Sequence, residues 1–406
     1  MPFPAGSVTF KRFFVAGSAP RTVDQDLLDR AAERAIGKGS VLAGDNTETG
    51  WITGEHVLDT QFDFAKNRVG DCLFLAMRVD SCKPPSDVVR AYEKMHAEAI
   101  LAKTGRDYLN KQERREAKQA AKDQAERDAK SGTYRRMRQF GVLWDLSRGE
   151  VYLGATSPSV VDRFTALFRD TFDCTVTAAS SGELAARFAA TGGMHAAYED
   201  LRPAQFIDPP SDAESPRSLA PGDEGRSKDF LGTEWLVWLW YASRHEGTAI
   251  VEDEDEETLV RFEKALQLDC AFGVTGSTGV RADDPILRPE AAAALASGKV
   301  PIRAGLQLVQ HGEVYGGTVR GDVMHFSGVQ LPPVSADATN ARVIFEERTG
   351  QLRDFNDAVE ASYRAFLRQR LSSRWSKALG AIRGWIAAGA TAGAGETLLT
   401  GVSVAS

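Results

Sequence analysis

Residues 107–130 consist almost entirely of Lys, Arg, Glu, Asp, Gln and Ala. That composition favours helix at nearly every position but offers no apolar face to bury. A helix polar all round stands in solvent or meets a polar partner. Whatever fold the chain adopts must therefore present this segment outward. It continues an earlier helical stretch. Ser86, after Pro84 and Pro85, is placed to cap a helix. Val88, Val89, Tyr92, Met95, Ala99 and Ile100 then form an apolar stripe that ends near Leu101. Unbroken, residues 86–130 would reach about 65 Å; Thr104 and Gly105 are the expected interruption.

Charge is segregated in the same place. From Lys103 to Arg138 the chain carries twelve Lys and Arg against six Asp and Glu, although its net charge is −7. An acidic total argues against a general nucleic-acid binder, but a local basic stripe escapes that argument. Lys111, Arg114 or Arg115, Lys118 and Lys122 step by three or four residues and share one helix face. Such a row can track a phosphate backbone and release its counterions. With no base-reading motif beside it, the expected mode is sequence-independent. Lys103, Arg106, Arg135, Arg136 and Arg138 extend the candidate phosphate contacts. Tyr134 lies among them as a ring that, if exposed, would stack on a base or wedge at a groove. The competing reading is an ordinary solvated face, with Glu113, Glu116 and Glu126 forming i,i+4 pairs and Tyr134 simply packed.

The remaining pattern predicts an α+β protein. At 406 residues the chain exceeds one ordinary core, so two or three subdomains are expected. Strands are expected over 8–16 and 71–80, and a helix over 24–38 from the spacing of Leu27, Leu28, Ala31, Ala32 and Ala35. Residues 139–157 read as a hairpin turning at "SRGE", followed by an amphipathic helix over 157–172 with Val160, Phe164, Leu167 and Phe168 on one face. Residues 202–228 read as a linker or long loop. The helix "FLGTEWLVWLWYASRHEG" (230–247) carries Trp235, Trp238 and Trp240, a candidate packing or dimer surface. An acidic loop over 252–257 and a short helix follow, then strands from about 266 to 330 and helices over 353–387. The expected partition is an N-terminal α+β region 1–138, a hairpin–helix–strand subdomain 139–201, the linker 202–228, a C-terminal α+β region 229–385 and a poorly ordered tail 386–406.

Several chemistries find no sequence support. Cys72, Cys82, Cys174 and Cys270 have no C-x-x-C spacing, and the six histidines lack ligand spacing. No G-x-S-x-G elbow is present. "GVTGSTG" (273–279) with Arg281 lacks the Gly-Lys-Ser/Thr ending of a P-loop and reads as a turn between strands. The run "EDEDEE" (252–257) reads as a solvated loop, because consecutive acids diverge and do not converge on a cation. No catalytic residue, metal set or cofactor is therefore assigned. There is no apolar signal core after a basic start, and no run of roughly 18 apolar residues. The expectation is a cytoplasmic protein without a membrane partner.

"GW" at 50–51, "CLFLAMRV", "KPPSDVVRAYEKMHAE", the basic helix and "RRMRQFGVLWDLSRGEVYLGATS" with its Asp145-x-x-x-Gly149 turn resemble, in that order, the RdgC family of bacterial recombination-associated proteins. The resemblance covers about residues 1–180. From 230 to 380 it rests on the order of pattern alone, including "FLGTEWLVWLWY". It implies an α+β, ring-shaped homodimer. Duplex DNA would pass through a positively lined hole, bound without sequence preference and occluded from RecA, in a nucleoid-associated setting. The family's finger aromatic, counted back from the Asp145–Gly149 turn, falls on Tyr134, here preceded by "SGT" and not by the usual Leu-Pro-Arg. Two alternatives from other classes stand beside it: a divergent metal-dependent nuclease, and a protein-interaction module that binds no DNA.

Overall fold

The computed structural model describes residues 3–38, 47–209, 227–245, 247–253, 256–335 and 340–399. Along the chain run β1 (Val8–Ala16), α1 (Gln25–Glu33), β2 (Thr47–Ile52), α2 (Phe64–Asn67), β3 (Arg68–Val69), β4 (Cys72–Ser81), α3 (Ser86–Thr104) and α4 (Lys111–Lys130). Next come β5 (Arg136–Asp145), β6 (Glu150–Leu153), α5 (Pro158–Phe172), β7 (Thr175–Ala178), α6 (Ser181–Thr191), α7 (His195–Glu199) and α8 (Phe230–Ala242). The last third adds β8 (Thr248–Asp253), β9 (Glu256–Cys270), β10 (Thr278–Ala282), α9 (Pro289–Ala296), β11 (Lys299–Gln310), β12 (Glu313–Arg320), β13 (His325–Gln330), α10 (Ala341–Arg370) and α11 (Trp375–Leu399). The fold is mixed α+β with extensive antiparallel pairing. No helix among the described residues is long and apolar enough to cross a membrane.

Two compact units divide the chain, neither of them a contiguous stretch. One comprises residues 1–16, 149–158 and 176–406; the other comprises 17–148 and 159–175.

In the smaller unit β2, β4 and β5 form an antiparallel sheet. β4 and β5 stay in register from Cys72 opposite Asp145 to Ser81 opposite Arg136. The expected run "DCLFLAMRVD" is this central strand, buried along nearly its whole length because both neighbours cover it. α5 supplies the core from one side. Its Phe168 and Phe172 rings lie 4.9 and 5.1 Å from Trp144, and Trp51 Nε1 donates to Thr171 Oγ1 at 2.8 Å. The helix expected over 24–38 stops at Glu33, since Ala35 and Ile36 turn back to bond Trp51 on β2. Pro85, not Ser86, occupies the N-cap position of α3.

In the larger unit the strand order is β8, β9, β11, β12, β13, β1, β6, with β10 also on β9. Two helices cover one face. α10 places Phe355 against Phe10 and Phe326, at 6.3 and 5.2 Å between ring centroids, and α8 packs Trp235 against Tyr363 at 5.7 Å.

Three expectations fail here. Residues 256–270 are strand, not a short helix: Thr258, Val260, Phe262, Leu266, Leu268 and Cys270 are buried with a period of two. The interruption at 263–265 is a bulge where Lys264 adopts φ +65°. The acidic run is likewise no loop at 252–253 or 256–257, where β8 and β9 pair Glu252 with Glu257. The tail expected to lack structure over 386–406 is helical to Leu399. The segment 181–199, given no element above, holds α6 and α7. Most of the expected linker, residues 210–226, lies outside the described residues.

Candidate nucleic-acid interface

The basic segment folds as the second arm of a helical hairpin in the smaller unit. α3 ends at Gly105, whose φ of +63° is the left-handed C-cap geometry, with its N–H on Leu101 O. α4 begins with a full capping box: Asn110 Oδ1 accepts from the Gln112 and Glu113 N–H groups, and Glu113 accepts from the Asn110 N–H. The Asn110 N–H and the Arg106 guanidinium hold the Glu113 carboxyl below its ordinary range. Twenty helical residues make α4 about 30 Å long.

What joins the two helices is small and polar. Ala117, Ala121, Ala125 and Ala129, one per turn, are buried along α4. Around that seam Tyr92 Oη donates to Asp128 Oδ2 at 2.6 Å, and His96 Nε2 bonds Gln124 Oε1 at 3.1 Å. The pairing of 92 with 128 and 96 with 124 makes the helices antiparallel. Each packs mainly on the other, and α3 buries no residue fully. Met95 remains 60% exposed. The hairpin is thus an arm, and the outer face of α4 is free for a partner.

On that face the cations are unneutralised. Lys111, Arg114, Arg115, Lys118 and Lys122 are exposed and make no ion pair among the described residues, and the same holds for Arg127 and Lys130. Of the helix's five carboxylates, Glu113 takes the Asn110 cap and Arg106, three others bond uncharged side chains, and Glu126 is exposed with no ion pair among the described residues. Gln112 donates to Glu116 at 3.1 Å, Gln119 donates to Asp123 at 2.8 Å, and Asp128 takes the tyrosine. The i,i+4 Lys–Glu pairing of an ordinary solvated face is absent from α4. α3 has one such pair, Lys94 with Glu98 at 3.8 Å, and an i,i+3 pair between Arg90 and Asp87.

The flanking candidates divide. Lys103 is exposed near the end of α3 and Arg136 at the start of β5, neither of them in an ion pair among the described residues. Arg138 lies over the Phe140 ring at 5.1 Å. Arg106 is bound to Glu113. Arg135 is exposed but paired: its guanidinium donates to Asp80 at 2.8 Å and Glu48 at 3.1 Å, and Asp80, itself clamped by Arg78, raises its pKa. Tyr134 is no free ring; it is half-buried, with its hydroxyl 3.4 Å from Asp128. Tyr108 in the α3–α4 turn is exposed, at 72%. Its place between Gly105 and the Asn110 cap was the available signal, because a turn residue between two helices has no core to reach.

The tryptophans are interior to the larger unit. Trp235 and Trp240 are fully buried, and the three indole N–H groups donate to Ser362, Gln369 and the Ile286 carbonyl at 3.2, 2.7 and 3.2 Å. Of the two readings of this helix, packing or dimer surface, the burial and hydrogen bonds of the indoles match packing within the larger unit.

Two other groupings have local explanations. Asp71, Cys72 and Asp145 bring candidate ligand atoms within 4.8 Å of one another. Asp145 Oδ1 already accepts from Ser147 Oγ at 2.8 Å and the Arg148 N–H at 3.1 Å, closing the turn to Gly149. The amides of the 272–275 turn face Cys270, not an open cradle. Burial opposes ionisation there, but the Thr275 hydroxyl and the N–H groups of Thr275, Phe272 and Val274 bring the thiol down to about 7. No protein-family model and no curated protein matches the chain.

Proposed function

We propose that this chain binds duplex DNA without sequence preference through the outer face of α4. One observation carries the reading: seven cations on α4 are in no ion pair among the described residues, while the rest of the chain is acidic. A solvent-facing helix gains a few tenths of a kcal/mol from each i,i+4 ion pair. Leaving all of them unmade favours an external polyanion, whose condensed counterions are released on contact. Lys111, Arg114, Arg115, Lys118 and Lys122 are the phosphate contacts, with Lys103, Arg136 and Arg138 flanking. The resemblance in motif order extends the proposal to an RdgC-like ring-shaped homodimer that occludes duplex DNA from RecA.

The test is a duplex titration across salt concentrations. Reversing Lys111, Arg115, Lys118 and Lys122 to Glu is expected to flatten the log–log salt slope by about 3 to 4. An unchanged slope removes α4 from the interface. Loss of input DNA only with Mg²⁺ or Mn²⁺ would favour a nuclease, and indifference to DNA at low salt would favour a protein-interaction module.

A further inference from the structure

In the smaller unit a cleft opens between the end of α1, β2 and α5. Two close approaches build it. Ala35 and Ile36 lie along β2, where Arg34 O accepts from the Trp51 N–H and the Ile36 N–H donates to Trp51 O, each at 3.0 Å. Gly50 permits this, because a Cβ there would stand 2.5 Å from Ile36 N. On the other flank α5 is seated by Trp51, whose ring lies 5.8 Å from Phe172 and whose Nε1 donates to Thr171. Thr49, two residues before Trp51, shares its face of the sheet and so is turned toward α5. Arg163, Ala166, Leu167 and Asp170 recur at helical spacing on the facing side of α5. With Arg34, Lys38 and Thr49 they line a cleft of about 260 Å³.

The charge of this cleft is positive. Arg34 and Lys38 are exposed and in no ion pair among the described residues. Arg163 adds a third cation, half-buried and with a partner of its own. The carboxylate in the lining, Asp170, takes the Arg169 guanidinium at 3.2 Å. Glu48, on the opposite face of β2 from Thr49, accepts from the Gly37 N–H at 2.9 Å and from Arg135. Thr49 Oγ1 is closed to solvent and has no hydrogen-bond partner among the described residues. A buried hydroxyl left in that state is destabilising.

We propose that this cleft binds a phosphate group, held by the Arg34, Lys38 and Arg163 cations and completed by the Thr49 hydroxyl. Guanidinium, ammonium and threonine hydroxyl are the side-chain donors that phosphate oxygens take. The cleft is smaller than the roughly 300–1,000 Å³ of sites for drug-sized ligands. That suits one phosphate, free or as the end of a small organic ester. The site involves no residue of α4 and does not depend on DNA binding.

Calorimetric titration of the full chain with inorganic phosphate, adenosine monophosphate and adenosine tests it. Phosphate and the monophosphate are expected to saturate one site, and adenosine is expected not to bind. Equal affinity for the first two would mark free phosphate as the occupant, and tighter binding of the monophosphate an organic ester. Arg34→Ala/Lys38→Ala should weaken phosphate binding about tenfold or more. Thr49→Val should weaken it as well, yet raise the melting temperature of the free chain, because the unpartnered hydroxyl is gone. A threonine with only a structural role would show the change in stability without the change in affinity. Reversing Lys111, Arg115, Lys118 and Lys122 to Glu should leave phosphate binding intact. The proposal is overturned by no saturable phosphate binding, by adenosine binding as tightly as its monophosphate, by binding that survives both cleft variants, or by its loss in the α4 reversal.

Discussion

The two helices richest in cations, α4 and α10, use them in opposite ways. α10 carries six arginines, and each is engaged. Arg342 meets Glu346, Arg364 and Arg368 converge on Asp253, and Arg370 binds Glu234 at 2.6 Å. Arg348 donates to the Phe3 and Gly6 carbonyls, and Arg353 also has a partner. α4 carries seven Lys and Arg, none in an ion pair among the described residues. Counting positive charge does not separate these helices. What separates them is what packs against each: aromatic and charged partners around α10, and on α4 an alanine seam flanked by the Tyr92–Asp128 and His96–Gln124 hydrogen bonds. An arginine fork matches carboxylate and phosphate alike, so cation type does not separate the helices either.

The contrast can be broken in order of effect. Reversing Lys111, Arg115, Lys118 and Lys122 together should lower duplex affinity on the order of 10³-fold or more at low salt. Thermal stability should barely move, because exposed substitutions cost roughly 0.5 kcal/mol or less each; a collapse in melting temperature would mean the face is structural. Arg370→Ala should do the converse. It strands the buried Glu234 carboxylate, which burial already raises above its ordinary range despite the arginine, at a cost of about 3–5 kcal/mol in denaturant unfolding. DNA affinity per folded molecule should be unchanged.

Acid provides a third probe. Burial depresses the His325 pKa to about 4, so between that pH and its ordinary 6.5 the unfolded chain binds the extra proton. Stability should therefore fall as pH drops through this window, by up to about 3 kcal/mol. His325→Gln should remove that part of the pH dependence, measured by unfolding at pH 7 and pH 4.5. A smaller effect belongs to the seam. Ala121→Leu forces α3 and α4 apart at a cost of about 1–3 kcal/mol. It should raise amide exchange in the hairpin while the larger unit stays protected; equal exchange in both would mean that the arm does not open separately.

Much of this molecule was legible in residue order. The arm's helices, their break at Gly105, the exposed basic face and the central strand 72–81 follow from period, capping and composition, which are local. The alanine seam was present too, at 117, 121, 125 and 129, but alanine buries too little area to register as an apolar stripe. The strand at 256–270 was missed because Glu, Lys and Leu favour helix, while its period-two burial is enforced by β8, β10 and β11 on either side.

Sequence alone determined that residues 103–138 carry an excess of positive charge and include a helix without an apolar stripe, because propensity and charge are properties of neighbouring residues. Tertiary structure decided which cations remain unpaired. Arg135 lost its freedom to Asp80, 55 residues away, and Tyr134 was turned inward by Asp128. It also brought Arg34, Lys38, Thr49 and Arg163 to one cleft. Side chains far apart in the chain become neighbours only through the packing of the elements that carry them, and no local pattern encodes that packing.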